Sequence, residues 1–185
     1  MVDSMIYKIT FMNEEVDAFK RVFECDADAT FLDLHKAILE SCKYTDDQMT
    51  SFFLCNPSWE REQEVTLVEM PDTDMYDNMT MENTRLSDLI TEAKQRLIYV
   101  FDPMMDRYLF GSVTAIKPGS MDGVKLVETK GKAPKQLKED DPLNISAAGP
   151  DLDIDDDFYG SDNYDEGDID MEGFQDLSFE DGTMF

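Results

Sequence analysis

Hydrophobic positions along this chain fall into short blocks whose period changes from one block to the next. Met5 to Met12 (MIYKITFM) is apolar, β-branched or aromatic at most positions and ends at the acidic stretch Asn13–Asp17. Ala18 to Cys25 (AFKRVFEC) predicts a second strand, and the short connection predicts an antiparallel hairpin. Phe19, Val22 and Phe23 do not alternate strictly, which points to a bulge or to a strand buried on two faces. The period then becomes helical. Phe31, Leu34, Ile38 and Cys42 share one face, with His35 and Leu39 flanking it, so a helix over about Thr30 to Lys43 is expected. Thr30 and Asp33 stand at capping-box spacing at its start.

Further on, Ser51 to Cys55 (SFFLC) reads as a buried strand stopped by Asn56-Pro57, and Val65 to Val68 as another. Met70 to Asn83 is polar and rich in methionine, a loop. Thr84 is placed to cap a second helix over Arg85 to Gln95, with Leu86, Leu89, Ile90 and Ala93 inward. Leu97 to Phe101 and Tyr108 to Ile116 predict strands around an Asp102-Pro103 turn, and Val124 to Thr129 can pair with them. The expected class is α+β: a mixed or antiparallel sheet with two helices in the β-grasp-like order β-β-α-β-β-α-β-β.

Charge divides the chain. Its formal net charge is −26, and all 16 Lys and Arg lie at or before Lys138. Lys130 to Lys138 (KGKAPKQLK) is basic and punctuated by Gly and Pro, a linker by composition. Residues 139–185 are rich in Asp and cannot bury enough apolar surface to offset the entropy of ordering. The domain plan is therefore a folded unit over 1–129, a basic linker over 130–138 and a disordered acidic tail over 139–185. An excess of negative charge repels nucleic acid and anionic membranes, so neither is expected as a direct partner. No apolar run is long enough to span a bilayer and no signal peptide is recognisable, which predicts a cytoplasmic protein. Cys25, Cys42 and Cys55 are widely spaced and read as small buried hydrophobes.

Several pieces in this order resemble a known family. YKITF (Tyr7 to Phe11), TFLDLHKAIL (Thr30 to Leu39), SFF (Ser51 to Phe53), RLSDLI (Arg85 to Ile90) and LIYVFD (Leu97 to Asp102) are similar to segments of the plasmid (Ri) ORF-three-like proteins, some of them passengers of mobile elements. The resemblance covers about residues 5–130 and implies a mixed α+β fold, with no settled activity. Members usually continue the YxFD strand with Gly-Asp, an aromatic and a His. Here Pro103 stands in place of the Gly, Asp106 follows late, and Arg107-Tyr108 occupy the aromatic and His positions. The family's Pro-Pro-Glu-Asp segment is also missing.

Candidate chemistry is sparse. His35 is the sole imidazole, and a nucleophilic pair with Cys25 or Cys55 would need an orienting carboxylate that the sequence does not reveal. A His on the core side of a helix, satisfied locally, is the plainer reading. No phosphate loop, HExxH or GxSxG occurs. Asp168, Asp170, Glu172 and Asp176, with Gly173 at the turn position, approximate a calcium loop, but Phe179 stands where the bidentate Glu belongs. No metal site and no cofactor are therefore expected. At the tail tip, Leu177, Phe179, Met184 and Phe185 are apolar anchors among acids, suited to a basic-rimmed pocket. A surface around Tyr99, Asp102, Asp106, Arg107 and Tyr108, beside the Met70–Met81 loop, is the candidate site on the folded domain. The functional expectation is a non-catalytic interaction module with an acidic tail that docks a basic protein partner or maintains solubility. The alternatives are an acidic nucleic-acid mimic or modulator linked to mobile elements, and a carboxylate-based metal-dependent hydrolase.

Overall fold

A computed structural model describes residues 4–71 and 79–138. All of them belong to the first of two units into which the chain divides, Met1–Ser146 and Ala147–Phe185. In chain order the elements are β1 (Met5–Met12), β2 (Lys20–Asp26), α1 (Phe31–Cys42), β3 (Ser51–Cys55), β4 (Arg61–Thr66), β5 (Met79–Thr80), α2 (Leu86–Leu89), β6 (Arg96–Asp102), β7 (Arg107–Pro118) and β8 (Val124–Lys130).

The strands form one sheet in the order β5-β4-β3-β6-β7-β1-β2-β8. Every neighbouring pair is antiparallel except β4 with β5, which is parallel. This corrects the expected β-grasp-like order. Among the described residues the fold is a large mixed sheet of eight strands, with one helix of 12 residues and one of 4. The second helix is short for a physical reason. The N–H groups of Leu86 and Ser87 donate to the carbonyls of Ala29 and Ala27, so the segment is docked by its backbone as it begins to coil. Past Ile90, the Gln95 side chain accepts from the Thr91 N–H and donates to the Leu89 carbonyl, taking two groups a longer helix would need. Lys94 adopts φ 72 and donates to the Val113 carbonyl, which starts the β6–β7 pairing. Ala93, expected inward, is exposed.

α1 follows its sequence closely. Thr30 Oγ1 accepts from the Asp33 N–H at 3.2 Å, and Asp33 Oδ2 accepts from the Thr30 N–H at 3.0 Å. Lys43, at φ 56, closes the helix in the left-handed conformation. The helix lays Phe31, Leu34, His35, Ile38, Leu39 and Cys42 on one face of the sheet. There Phe31 meets Phe52 edge-on at 5.3 Å, and Phe52 meets Tyr99 at 4.9 Å. Each such fully buried side chain stabilises the fold by about 1.5–3 kcal/mol. β4 begins four residues earlier than its apolar run, because the polar stretch from Arg61 pairs with β3 as far as Cys55.

The other face of the sheet has no helix over it among the described residues. Its small cluster consists of Cys55, Ile98 and Val100, with Phe53, Trp59 and Tyr108 packed around them. No helix of the described residues is long and apolar enough to cross a membrane.

The stretch 130–138, read from composition as a linker, is seated on the domain in the structure. Arg21 Nη1 donates to the carbonyls of Lys130 and Gly131, at 2.8 and 3.1 Å. Tyr44 Oη donates to the Pro134 carbonyl at 2.6 Å, and Gln136 exchanges hydrogen bonds with both backbone groups of Thr45. Arg21 and Tyr44 read the strap's main-chain carbonyls, and Gln136 is its one uncharged polar side chain in this set, so its basic composition gives no hint of order.

Candidate functional site

The five residues expected to form one surface separate in the structure. Tyr99 and Asp102 are fully buried, and Arg107 is 6% exposed. Asp106 and Tyr108 lie on the helix-free side, where Arg61 Nη2 donates to Asp106 at 2.9 Å and stacks 5.4 Å from the Tyr108 ring centre. Arg107 instead neutralises two acids beneath the strap. It binds Glu15 by two parallel hydrogen bonds of 2.8 Å, and its Nη1 lies 3.1 Å from Asp102 Oδ2. Its remaining donors reach the carbonyls of Lys135 and Gln136 at 2.7 and 3.1 Å. This pairing holds the Glu15 carboxyl below the usual range, through the Arg107 hydrogen bond first. With the guanidinium this fully occupied, the cluster is a structural clamp.

His35 is also committed. Its Nε2 lies 3.1 Å from Asp46 Oδ1, and its Nδ1 lies 2.9 Å from Tyr99 Oη and 3.3 Å from Thr50 Oγ1. A carboxylate only accepts, so Nε2 carries the proton and the single lone pair of Nδ1 accepts, from the nearer Tyr99 hydroxyl. Burial lowers the imidazole pKa despite the Asp46 carboxylate, which keeps the ring neutral. Cys25, Cys42 and Cys55 are all buried and free. Burial raises each thiol's pKa, so none is an activated nucleophile. The carboxylate at His35 is Asp46, whereas Asp102 and Asp106 are paired with Arg107 and Arg61. Among the described residues no three His, Cys, Asp or Glu side chains are grouped to hold a metal ion. The acids Asp168, Asp170, Glu172 and Asp176 and the tail-tip residues Leu177, Phe179, Met184 and Phe185 lie outside the described residues.

What the structure does assemble is an aromatic cleft on the helix-free face, of about 640 Å³, walled by Met12, Trp59, Tyr108 and Phe110. Phe110 lies at the junction: Trp59 meets it edge-on at 5.3 Å and Tyr108 at 5.1 Å. Register explains the gathering, because Phe110 pairs with Ile98 on one side and with Met12 on the other. Trp59 arrives from a turn. Asn56 Oδ1 accepts from the N–H groups of Ser58 and Glu60, and Trp59 itself adopts φ 66, a conformation costing about 1 kcal/mol for a residue with a side chain. The Arg96 guanidinium lies over the indole, 4.7 Å from the ring centre. The opposite rim is acidic. Asn13 Oδ1 accepts from the Glu15 and Val16 N–H groups, while its Nδ2 donates to the Tyr108 carbonyl. That turn sets Glu14 and Asp17, both exposed, at the mouth of the cleft.

Of the residues in this cleft, only Tyr108 was singled out by sequence. A usable signal was present. β6 and β7 are apolar on both faces, and one long helix covers only one face of a sheet, so apolar side chains had to surface on the other.

Comparisons with known proteins bear on the fold and the family. A search of curated proteins gives no match. A crystal structure of a protein of unknown function, MM3350 from Methanosarcina mazei Go1, is similar with a TM-score of 0.57 and 19% identity, over 71% of this chain and 72% of that one. At that identity the likeness shows a shared fold. The family model described as plasmid pRiA4b ORF-3-like protein matches residues 4–134, the stretch that holds the sheet, the clamp and most of the strap. The chain belongs to the plasmid pRiA4b ORF-3-like family.

Proposed function

We propose that this chain is a non-catalytic binding module of the cytoplasm, and that its aromatic cleft docks a basic segment of a protein partner. The observation that carries the proposal is the cleft itself: three aromatic rings and Met12 beside two exposed carboxylates. Ring faces attract cations through their quadrupole, and Glu14 and Asp17 add charge of the complementary sign. A Lys or Arg side chain can lay its apolar stem on Met12 and Phe110 while its head meets the rim. The formal charge of −26 steers such a partner in from a distance. Against a hydrolytic reading stands the occupation of the obvious chemical groups: Arg107 is saturated, His35 is hydrogen-bonded at both nitrogens, and the thiols are buried.

Trp59 is the single tryptophan of the chain, which makes the cleft its own reporter. Titrating the full chain with a peptide of alternating Arg and Leu should shift the indole emission, and added salt should weaken the effect. A neutral peptide of equal length should leave the emission nearly unchanged. Glu14→Gln with Asp17→Asn should weaken binding of the basic peptide by roughly tenfold. An equal response to acidic, neutral and basic peptides, or none to any, would overturn the proposal.

A further inference from the structure

β8 ends the sheet beyond β2, and among the described residues no strand runs along its outer side. Six of its seven residues are exposed, Leu126 and Val127 at 38% and 43% among them. A strand edge with open main-chain donors and acceptors and apolar side chains is a template for pairing. Such edges are commonly blunted by proline, by shortness or by charges that a second strand could not match. β8 has no proline, and its charges are arranged so that another copy of itself matches them.

The sequence Lys125-Leu126-Val127-Glu128 is charge-complementary to its own reverse about the Leu126–Val127 bond. An antiparallel pair centred there sets Lys125 opposite Glu128 of the second copy, and Leu126 opposite the second copy's Val127. Two-fold symmetry repeats both contacts. The adjacent registers place Lys125 against Val127 or Thr129 and pair no charges within Val124–Lys130, so the strand itself favours this register.

An irregularity in β8 makes the charge pairing geometrically consistent. Val22 pairs with Glu128 and Phe23 with Leu126, which leaves Val127 as an extra residue. In an unbroken strand, side chains three apart point to opposite faces. The extra residue brings Lys125 and Glu128 to the same, helix-free face. There Glu128 Oε1 accepts from Lys20 Nζ at 2.9 Å, and Lys125 lies near enough to Glu24 to help lower its pKa. Glu128 Oε2 has no partner among the described residues and can take a second lysine. The strand is also well supported from behind, because it pairs with β2 along its whole length.

We infer that this protein self-associates through β8, joining two copies edge to edge into one continuous sheet by the Lys125–Glu128 register. The occupant is a second copy of this chain. A foreign extended peptide would have no reason to satisfy the two-fold charge match. The aromatic cleft is walled from β1 and β7, with β2 between it and this edge, so each copy keeps its cleft open.

Sedimentation velocity of the full chain over a range of concentrations tests the inference. The expected species is twice the 21.2 kDa chain mass. Lys125→Glu and Glu128→Lys should each weaken self-association by roughly tenfold, since each sets like charges opposite one another twice. An equimolar mixture of these two variants should regain a dimer, because each supplies the charge that the other has lost. The double variant should regain it as well. Thermal melts of each variant establish that the fold is retained, and the mixture keeps the test sharp even where a single change costs stability. A monomer at every concentration would overturn the inference. So would a dimer indifferent to both single changes, or a mixture no better associated than its components. A dimer lost on Trp59→Ala but kept in the β8 variants would place the interface on the aromatic face and equally overturn it.

Discussion

Arg107 and Glu15 are 92 residues apart in sequence and meet by two parallel hydrogen bonds of 2.8 Å, with Asp102 Oδ2 held on the remaining nitrogen of the same guanidinium. The Arg107 side chain is 6% exposed and that of Asp102 is 0%. Removing the guanidinium therefore strands a buried carboxylate, and Arg107→Ala should cost about 3–5 kcal/mol. Urea denaturation followed by circular dichroism measures this. Arg107→Lys should recover only part of the loss, since an ammonium cannot span Glu15, Asp102 and two carbonyls together. Equal stability of Arg107→Ala and the parent chain would refute the clamp.

Acidification should destabilise the fold in two separate windows. Burial lowers the His35 pKa below its ordinary 6.5, so between those two values the unfolded chain binds more protons than the folded one. Stability from this group is complete above about pH 6.5 and is lost as the pH falls towards the folded pKa. Glu15 follows the same sign lower down. Its pKa is held below 4.5 by Arg107, so its contribution is present above that value and lost beneath it. Midpoints of thermal melting from pH 8 down to about pH 2 should therefore fall in two stages, the second beginning below the ordinary Glu value. His35→Gln should remove the upper stage and leave the lower one.

Two glycines with nearly equal φ should respond differently to alanine. Gly131, at φ 67, would place a Cβ 2.5 Å from the Ala18 carbonyl oxygen, whereas Gly123, at φ 61, has nothing within 4 Å. Gly123→Ala should cost about 1 kcal/mol, the penalty of left-handed backbone alone. Gly131→Ala should cost more, and it should loosen the strap as well. Limited trypsin digestion reads the second effect as faster cleavage after Lys132 and Lys135. Equal digestion rates for the two variants would argue against a seated strap.

The three thiols provide a probe of the whole core. With Cys25, Cys42 and Cys55 buried and their pKa values raised by burial, a thiol reagent should find none of them quickly in the native chain. All three should react in concentrated urea. Rapid modification of one thiol under native conditions would mark local opening at that site.

What the sequence disclosed and what it withheld divide by distance along the chain. The bounds of β1 and β3 and both ends of α1 follow from neighbours, such as Thr30 with Asp33, and these are correctly legible. The β-grasp-like order fails because β5 lies in the stretch read as a loop and three strands follow α2. The second helix is cut short where Leu86 to Gln95 gives backbone groups to Ala27, Ala29 and Val113. No local pattern carries those partners. The candidate site failed for a related reason. Arg107 and Tyr108 are adjacent, but alternation in β7 sends one beneath the strap and the other to the aromatic cleft. Phe110 and Met12 could be joined to Trp59 only once the β1–β7 register was in hand.

The place of β1 in the sheet constrains how this protein can come into being. β1 is made first yet pairs with β7, so that Met5 lies opposite Pro118. Before β7 emerges from the ribosome, the nascent chain can hold only fragments: the hairpin of β1 and β2 on one side, and β3, β4 and β6 on the other. Each fragment has a bare edge where β7 will insert. Synthesis of one strand thus closes the structure in a single late step, and folding should be slow for a chain of this size. Until that step the cell holds two sticky half-sheets, and their lifetime, more than the stability of the finished fold, sets the hazard of aggregation.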